Sequence, residues 1–345
     1  MCIYLGVSEE LTYSTKEHVL PAALGCCTKL ERGIVSDQAN GYFSPIEREV
    51  IEQSLIQIPR IISGPGKRGK LADKYATTSA VSVVNLNGEN ALGYMKGTNG
   101  YILSQFIIDE ENKVQFHYQH DGTHNVQDEV TKLKKHICSM GEKYVPVTMP
   151  IDDKSIYITY FKDKIHIGAS DVLSNEKVDE IKKLFAGEFS TAKQKVLSGE
   201  LSATIDVQHD LKKICIVAAK SALNTLAYLE GAEYIIQNSD FKTIIEAIMS
   251  GDNEIFNYVK GIGFETVCAL RQSLHLDKEQ LACILTAEGK KLKAWFLVYE
   301  HGFEISLCPN LTISPDFLLD GIICDWKNRT DYQYLEFLKK KKVLN

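Results

Sequence analysis

An α+β fold is predicted for this 345-residue chain by three observations. Apolar residues recur at helical spacing in four stretches, other runs have strand length and composition, and the late strands read as a meander with turn residues between them. No internal repeat or low-complexity segment breaks that pattern.

In chain order, residues 1 to about 43 are irregular, with short β signals at Ser14–Leu20 and Gly33–Ser36. Ser44 can cap a helix and Pro45 suits a first helical position, so Ile46, Val50, Ile51, Leu55 and Ile58 predict a helix over 45–58 that Pro59 ends. Ser63 to Lys70 is glycine-rich and basic, the clearest linker signal. Strands are expected at 78–86, 113–118, 155–167 and 201–207, with a helix over 125–140. The strongest helix runs from Asp210 to Leu229, with Ile214, Val217, Ala218, Ala222, Leu226 and Leu229 on one side and Gly231 beyond its end. A second follows at 240–249 and stops at Gly251. The segments 266–276, 281–287, 294–299 and 303–307 read as the meander, turning at Glu288-Gly289 and His301-Gly302. The expected organisation is an N-terminal module over 1–60, a basic linker over 61–75 and a larger α+β domain over 76–345, with mixed or antiparallel strands and a long central helix.

Composition, 44% hydrophobic and 24% charged, is that of a globular chain. No apolar run is long enough to span a bilayer, and the N-terminus lacks a signal-peptide pattern, so no membrane partner and a cytoplasmic location are expected. Nine cysteines in a chain of this size do not make a disulfide scaffold, and Cys138, Cys215, Cys268, Cys283, Cys308 and Cys324, scattered among apolar residues, read mostly as buried thiols. A net charge of −6 argues against nucleic-acid binding by the whole surface but leaves room for a local basic track. Lys67, Arg68 and Lys70 in the linker are the chosen nucleic-acid contacts, ahead of Lys132–Lys135, Lys290–Lys293 and Lys339–Lys342.

The chemistry concentrates between Lys16 and Glu47. Glu17 abuts His18 at a strand end, Asn40 follows in a later turn, and Glu47, ahead of Glu49, comes from the next helix. An imidazole titrating near neutrality suits a general base, and carboxylates suit a hard cation. Asn40 could bond a backbone carbonyl or His18 and so hold the imidazole. His117, His120 and His124 are metal-type side chains that read better as a polar hairpin tip. Gly64-x-Gly66 and Gly261-x-Gly263 lack a full phosphate-loop fingerprint.

Set in order, these residues resemble the HNH endonuclease family, in the subgroup whose signature runs C-x-x-C-G, E-H-x-x-P-x-x-L-G-G and C-x-x-C-N with an acidic residue on the following helix. Cys2 and Gly6 match the first element; Glu17, His18, Pro21, Leu24 and Gly25 match the second. Asn40, Phe43 and Ile46-Glu47 match the rest. The resemblance covers the N-terminal fifth of the chain. It implies a small ββα-metal module in which His18 and Asn40 are catalytic. Glu17 and Glu47 would hold one Mg²⁺ or Mn²⁺, and DNA, or else RNA, would be the substrate. By analogy it suggests a restriction-type or anti-phage (antiviral defence) effector, with a protein or small-ligand regulator at the C-terminal domain. A two-strand cut by such a one-site module would favour a homodimer.

The chain departs from the family at the zinc knuckles: Leu5, Ser36 and Ala39 stand where cysteines are expected, and of the four positions only Cys2 is kept. Structural zinc needs four ligands, so none is expected, and apolar packing of Ile3, Leu20, Leu24, Leu30, Ile34 and Phe43 is expected to take its place. The alternative function is a catalytically inactive HNH-like module in a DNA- or protein-binding regulatory protein.

Overall fold

The computed structural model describes residues 1–66, 77–97, 99–119, 125–141, 143–187, 193–197, 201–203 and 210–343. It is α+β, as expected, and falls into two compact units: residues 1–77 with 208–345, and residues 78–207. A boundary expected near 60–75 lies close to the division after Thr77, but the expected assignment of 1–60 and 76–345 to two domains is corrected. The N-terminal module is not a separate domain, because its apolar side chains and those of residues 214–326 form one core; the second unit is inserted between the two halves of the first.

Helix α1 (Asp37–Gln53) starts earlier than expected, because the Ser36 side chain accepts from the Ala39 amide and caps it. Pro45 lies inside it, not at its start. The ring removes one hydrogen bond, to the carbonyl of Gly41, which is exposed and can use solvent. Burial of Ala39, Phe43, Val50 and Ile51 holds the helix through that gap. Pro59 likewise does not end a helix. It sits in the first turn of α2 (Gln57–Ser63), where an amide hydrogen has no helical partner anyway.

In the inserted unit, β1 (Ser82–Leu86), β2 (Glu89–Lys96) and β3 (Asn99–Ile102) form an antiparallel sheet joined by a later strand. Next come β4 (Gln105–Ile108), β5 (Val114–Gln119), α3 (Val126–Cys138), β6 (Val145–Thr148), β7 (Ile156–Phe161), β8 (Lys164–Ala169), α4 (Asn175–Ala186), β9 (Lys193–Leu197) and β10 (Leu201–Ala203). The sheets run β10-β1-β2-β3 and β6-β8-β7-β4-β5-β9, the second mixed, with parallel pairs at its two ends. The strand expected over 155–167 is a hairpin, since Lys162 and Asp163 both take positive φ, as a two-residue turn of this kind requires.

His117 on β5 and His166 on β8 are buried, and burial, the larger effect, lowers both pKa values; Lys195 beside His117 adds to it. The folded unit thus prefers both imidazoles neutral, while the unfolded chain protonates them below pH ~6.5. Stability of this unit is expected to be full above that pH and to fall as pH drops below it. Urea unfolding between pH 7.5 and 5, wild type against His117→Gln/His166→Gln, checks this: an equal acid loss in both would refute it.

The chain returns to the first unit with α5 (Leu211–Glu230), α6 (Ala232–Gln237), α7 (Lys242–Ser250), β11 (Val259–Ile262) and α8 (Phe264–Ser273). It closes with β12 (Gln280–Glu288), β13 (Lys291–Val298), β14 (His301–Cys308), β15 (Leu319–Asp325), β16 (Thr330–Gln333) and α9 (Tyr334–Lys340). Asp210, where the expected helix begins, caps α5 by accepting from the Lys212 amide. Every residue of α5 from Ile214 to Ala227 is buried, because the helix packs on α1 and also on the sheet. That sheet is antiparallel, in the order β11-β14-β13-β12-β15-β16. The segment expected as a strand over 266–276 is mostly α8, which buries only Val267 and has the helix formers Glu265, Leu270 and Arg271 along its length. The turn expected at His301-Gly302 falls instead at Tyr299-Glu300, where Tyr299 has φ +52°. Among the described residues, no helix is long and apolar enough to cross a membrane.

Candidate functional site

The N-terminal module is built from two tight loops, one hairpin and α1. Cys2 and Gly6 exchange backbone hydrogen bonds at 2.8 Å, which closes the first knuckle loop. The Ser36 amide donates to Cys2 Sγ at 3.4 Å. Cys2, Ser36 and Ala39 are fully buried, whereas Leu5 is exposed, so hydrogen bonding and packing join the two loops. Ile3, Leu20, Leu24, Leu30 and Phe43 are buried around them and Ile34 partly so.

The hairpin carries Glu17 and His18. The Val19 amide donates to the Thr28 carbonyl at 3.1 Å and Leu30 to Glu17 at 2.8 Å, which places His18 opposite Lys29. Asp331, on β16, accepts from the Cys27 and Thr28 amides at 2.7 and 2.6 Å and pins the hairpin tip. At the start of α1, the Asp37 carboxylate accepts from the Ser14 and Thr15 amides at 2.8 and 3.1 Å; the Ser14 amide leads the effects that hold it well below the usual carboxylate range. A cleft of about 410 Å³ results, lined by Glu17, His18, Lys29, Asn40, Ser44 and Glu47 among others. The structure therefore brings together the residues chosen from the sequence as catalytic and metal-holding. The chosen contacts Lys67, Arg68 and Lys70 lie outside the described residues.

Two roles differ from expectation. Asn40 does not hold His18: its Nδ2 donates to Thr15 Oγ1 at 3.4 Å. The His18 carbonyl instead accepts from Asn224 Nδ2 on α5 at 3.0 Å, and Tyr4 Oη donates to Asn224 Oδ1 at 2.7 Å. Glu17 and Glu47 converge on one cation, but it belongs to the protein. Lys220 Nζ, from α5, lies 2.5 Å from Glu17 Oε1 and 2.6 Å from Glu47 Oε1, and 5.1 Å from the centre of the Phe43 ring. Lys213, two turns earlier on α5, bonds Glu49 Oε1 at 2.6 Å.

The electrostatics follow this arrangement. Burial works against the Lys220 charge, yet Glu47 and Glu17 outweigh it and raise its pKa. Burial, then Glu17, lifts the Tyr4 phenol far above its ordinary value. His18 is lowered, by burial first and by Lys29 second, so it is neutral at physiological pH. The ammonium already supplies the positive charge between the two carboxylates, so as arranged they do not fit a Mg²⁺ or Mn²⁺ ion. Among the described residues, no group of three or more His, Cys, Asp and Glu side chains is placed to hold a metal.

Lys220 and Asn224 escaped the sequence reading. The available signal was a lysine and an asparagine one turn apart inside the apolar run of α5, where a buried charge must have a partner. Compared with known proteins, the chain matches no family model, no curated protein and no solved structure.

Proposed function

We propose that residues 1–63 are an HNH-like module that binds the phosphate backbone of DNA without cutting it, as part of a regulatory protein. The observation that carries this reading is the Lys220 ammonium shared by Glu17 and Glu47. Metal-assisted phosphodiester cleavage needs a multivalent cation in contact with the reacting phosphate. Lys220 is monovalent, and only 2% of its side chain is exposed, so it offsets one of the two carboxylate charges and touches no substrate. Binding is supported by the cleft itself. Lys29, Asn40 and Ser44 line it and can donate to phosphate oxygens, contacts that give affinity but no sequence reading.

The test is fluorescence anisotropy with labelled duplex DNA at several salt concentrations. Wild type is expected to bind with a log–log salt slope that Lys29→Ala reduces by about one. No binding at low salt, or an unchanged slope in the variant, would remove the cleft from DNA contact.

A second reading, a metal-dependent endonuclease, is favoured by one specific observation: His18 lines the cleft as a neutral imidazole, the form in which it can take a proton from water. Plasmid nicking with Mg²⁺ or Mn²⁺ separates the two. Cutting by wild type that is lost in His18→Ala would replace the binding reading.

A further inference from the structure

We infer that Lys220 is the resident cation of this centre, a tethered replacement for a divalent ion, and that Glu17 and Glu47 form a latent divalent-cation site opened only by removing its ammonium. The inference rests on the reading that the module works without metal.

Three observations converge on it. The ammonium makes a tight charge-assisted hydrogen bond to each carboxylate, at 2.5 Å to Glu17 and 2.6 Å to Glu47. Two oxygens that share one nitrogen are also within reach of one metal ion. The ammonium faces three directions, towards Glu17, Glu47 and the Phe43 ring, so it is held as an ion is held and not as a lysine trailing to solvent.

Helix α5 fixes that nitrogen from both sides. Lys213 is tied to Glu49 two turns before it, and Asn224 is tied to the His18 carbonyl and Tyr4 one turn after. One helix thus supplies both the charge and the backbone anchor of the centre. The charge balance gives the direction of the effect. Two carboxylates against one ammonium leave one net negative charge, whereas without the ammonium two negative charges remain in a site little exposed to water. Such a pair attracts a hard divalent cation.

The experiment uses the full-length chain and Mn²⁺ alone, with binding read by calorimetry and by loss of the free-ion electron paramagnetic resonance signal. Lys220→Ala is expected to bind one Mn²⁺ roughly tenfold or more tightly than wild type, with a Mn²⁺-dependent rise in Tm. The double variant Lys220→Ala/Glu17→Gln is expected to lose that gain. Lys220→Gln, which keeps donors to both carboxylates, covers the case in which Lys220→Ala does not fold; it is expected to gain Mn²⁺ affinity in the same direction. Folded Lys220 variants that bind Mn²⁺ no better than wild type, or as well with Glu17→Gln as without it, would overturn the inference. Tight Mn²⁺ binding by wild type at Glu17 would instead sink the metal-free reading on which it rests.

Discussion

Replacing Lys220 by Met is expected to destabilise the first unit by about 3–5 kcal/mol, because removing one partner of a buried charge cluster leaves the others without compensation. The side chains involved are 2%, 8% and 19% exposed for Lys220, Glu17 and Glu47, so solvent screens little of the interaction. Met keeps most of the volume, which isolates the charge from any cavity. For a unit of this size the loss corresponds to a fall in Tm of roughly 6–20 °C. Adding Glu17→Gln to Lys220→Met is expected to cost less than the two single losses together, because it removes one of the stranded charges. A loss under about 1 kcal/mol for Lys220→Met would place the cluster in the class of exposed ion pairs and contradict its burial. The alkaline limb follows from the same groups. Lys220 is raised, so its stabilisation is complete below the unfolded value of ~10.5 and is lost as pH rises through the higher folded one. Tyr4, also raised, adds to the loss on the same side.

Gly25→Ala is the second large effect, expected to cost about 2–4 kcal/mol. Gly25 follows the one turn of 3-10 helix Ala22–Leu24 and has φ +106°, a conformation that L side chains rarely adopt. A Cβ there would lie 2.4 Å from Trp326 Cβ and 3.2 Å from its Cα, and neither atom can swing away. Gly33→Ala is the control. Gly33 has a similar φ of +101°, but its Cβ would meet nothing within 4 Å. The difference between the two losses in urea unfolding measures how tightly the Glu17-His18 hairpin is pressed onto the sheet. Equal losses would show that the Trp326 contact carries none of the cost.

Much of the local structure was legible. Asp210 and Gly231 bracket α5 at the positions their chemistry indicates, and Asn125 caps α3. Pro45 misled because a proline can also sit inside a helix when the carbonyl it orphans faces solvent, and Ser36, the true cap, lay within a segment with a β signal. Residues 266–276 misled because an exposed helix that buries only Val267 has no apolar stripe to reveal its period. The glycine-rich basic stretch from Ser63 to Lys70 marks the approach to the inserted unit, but nothing in composition marks where the chain returns to the first unit, since both units are α+β and only contacts distinguish them.

For the site, the sequence by itself determined which side chains meet. The spacing from Glu17 to Gly25 makes a hairpin, and Ser36 starts a helix that carries Asn40 and Glu47, so short-range geometry gathers these residues around one cleft. The tertiary structure alone decided the charge at its centre. Lys220 lies 203 positions from Glu17 and 173 from Glu47, and an ion pair formed over such a distance imposes no periodicity on the chain between. Asn224 likewise reaches His18 only because α5 is packed between α1 and the sheet. Helical spacing and turn residues are local physics and are written locally; the match of a buried ammonium to two carboxylates arises only when distant segments lose water together.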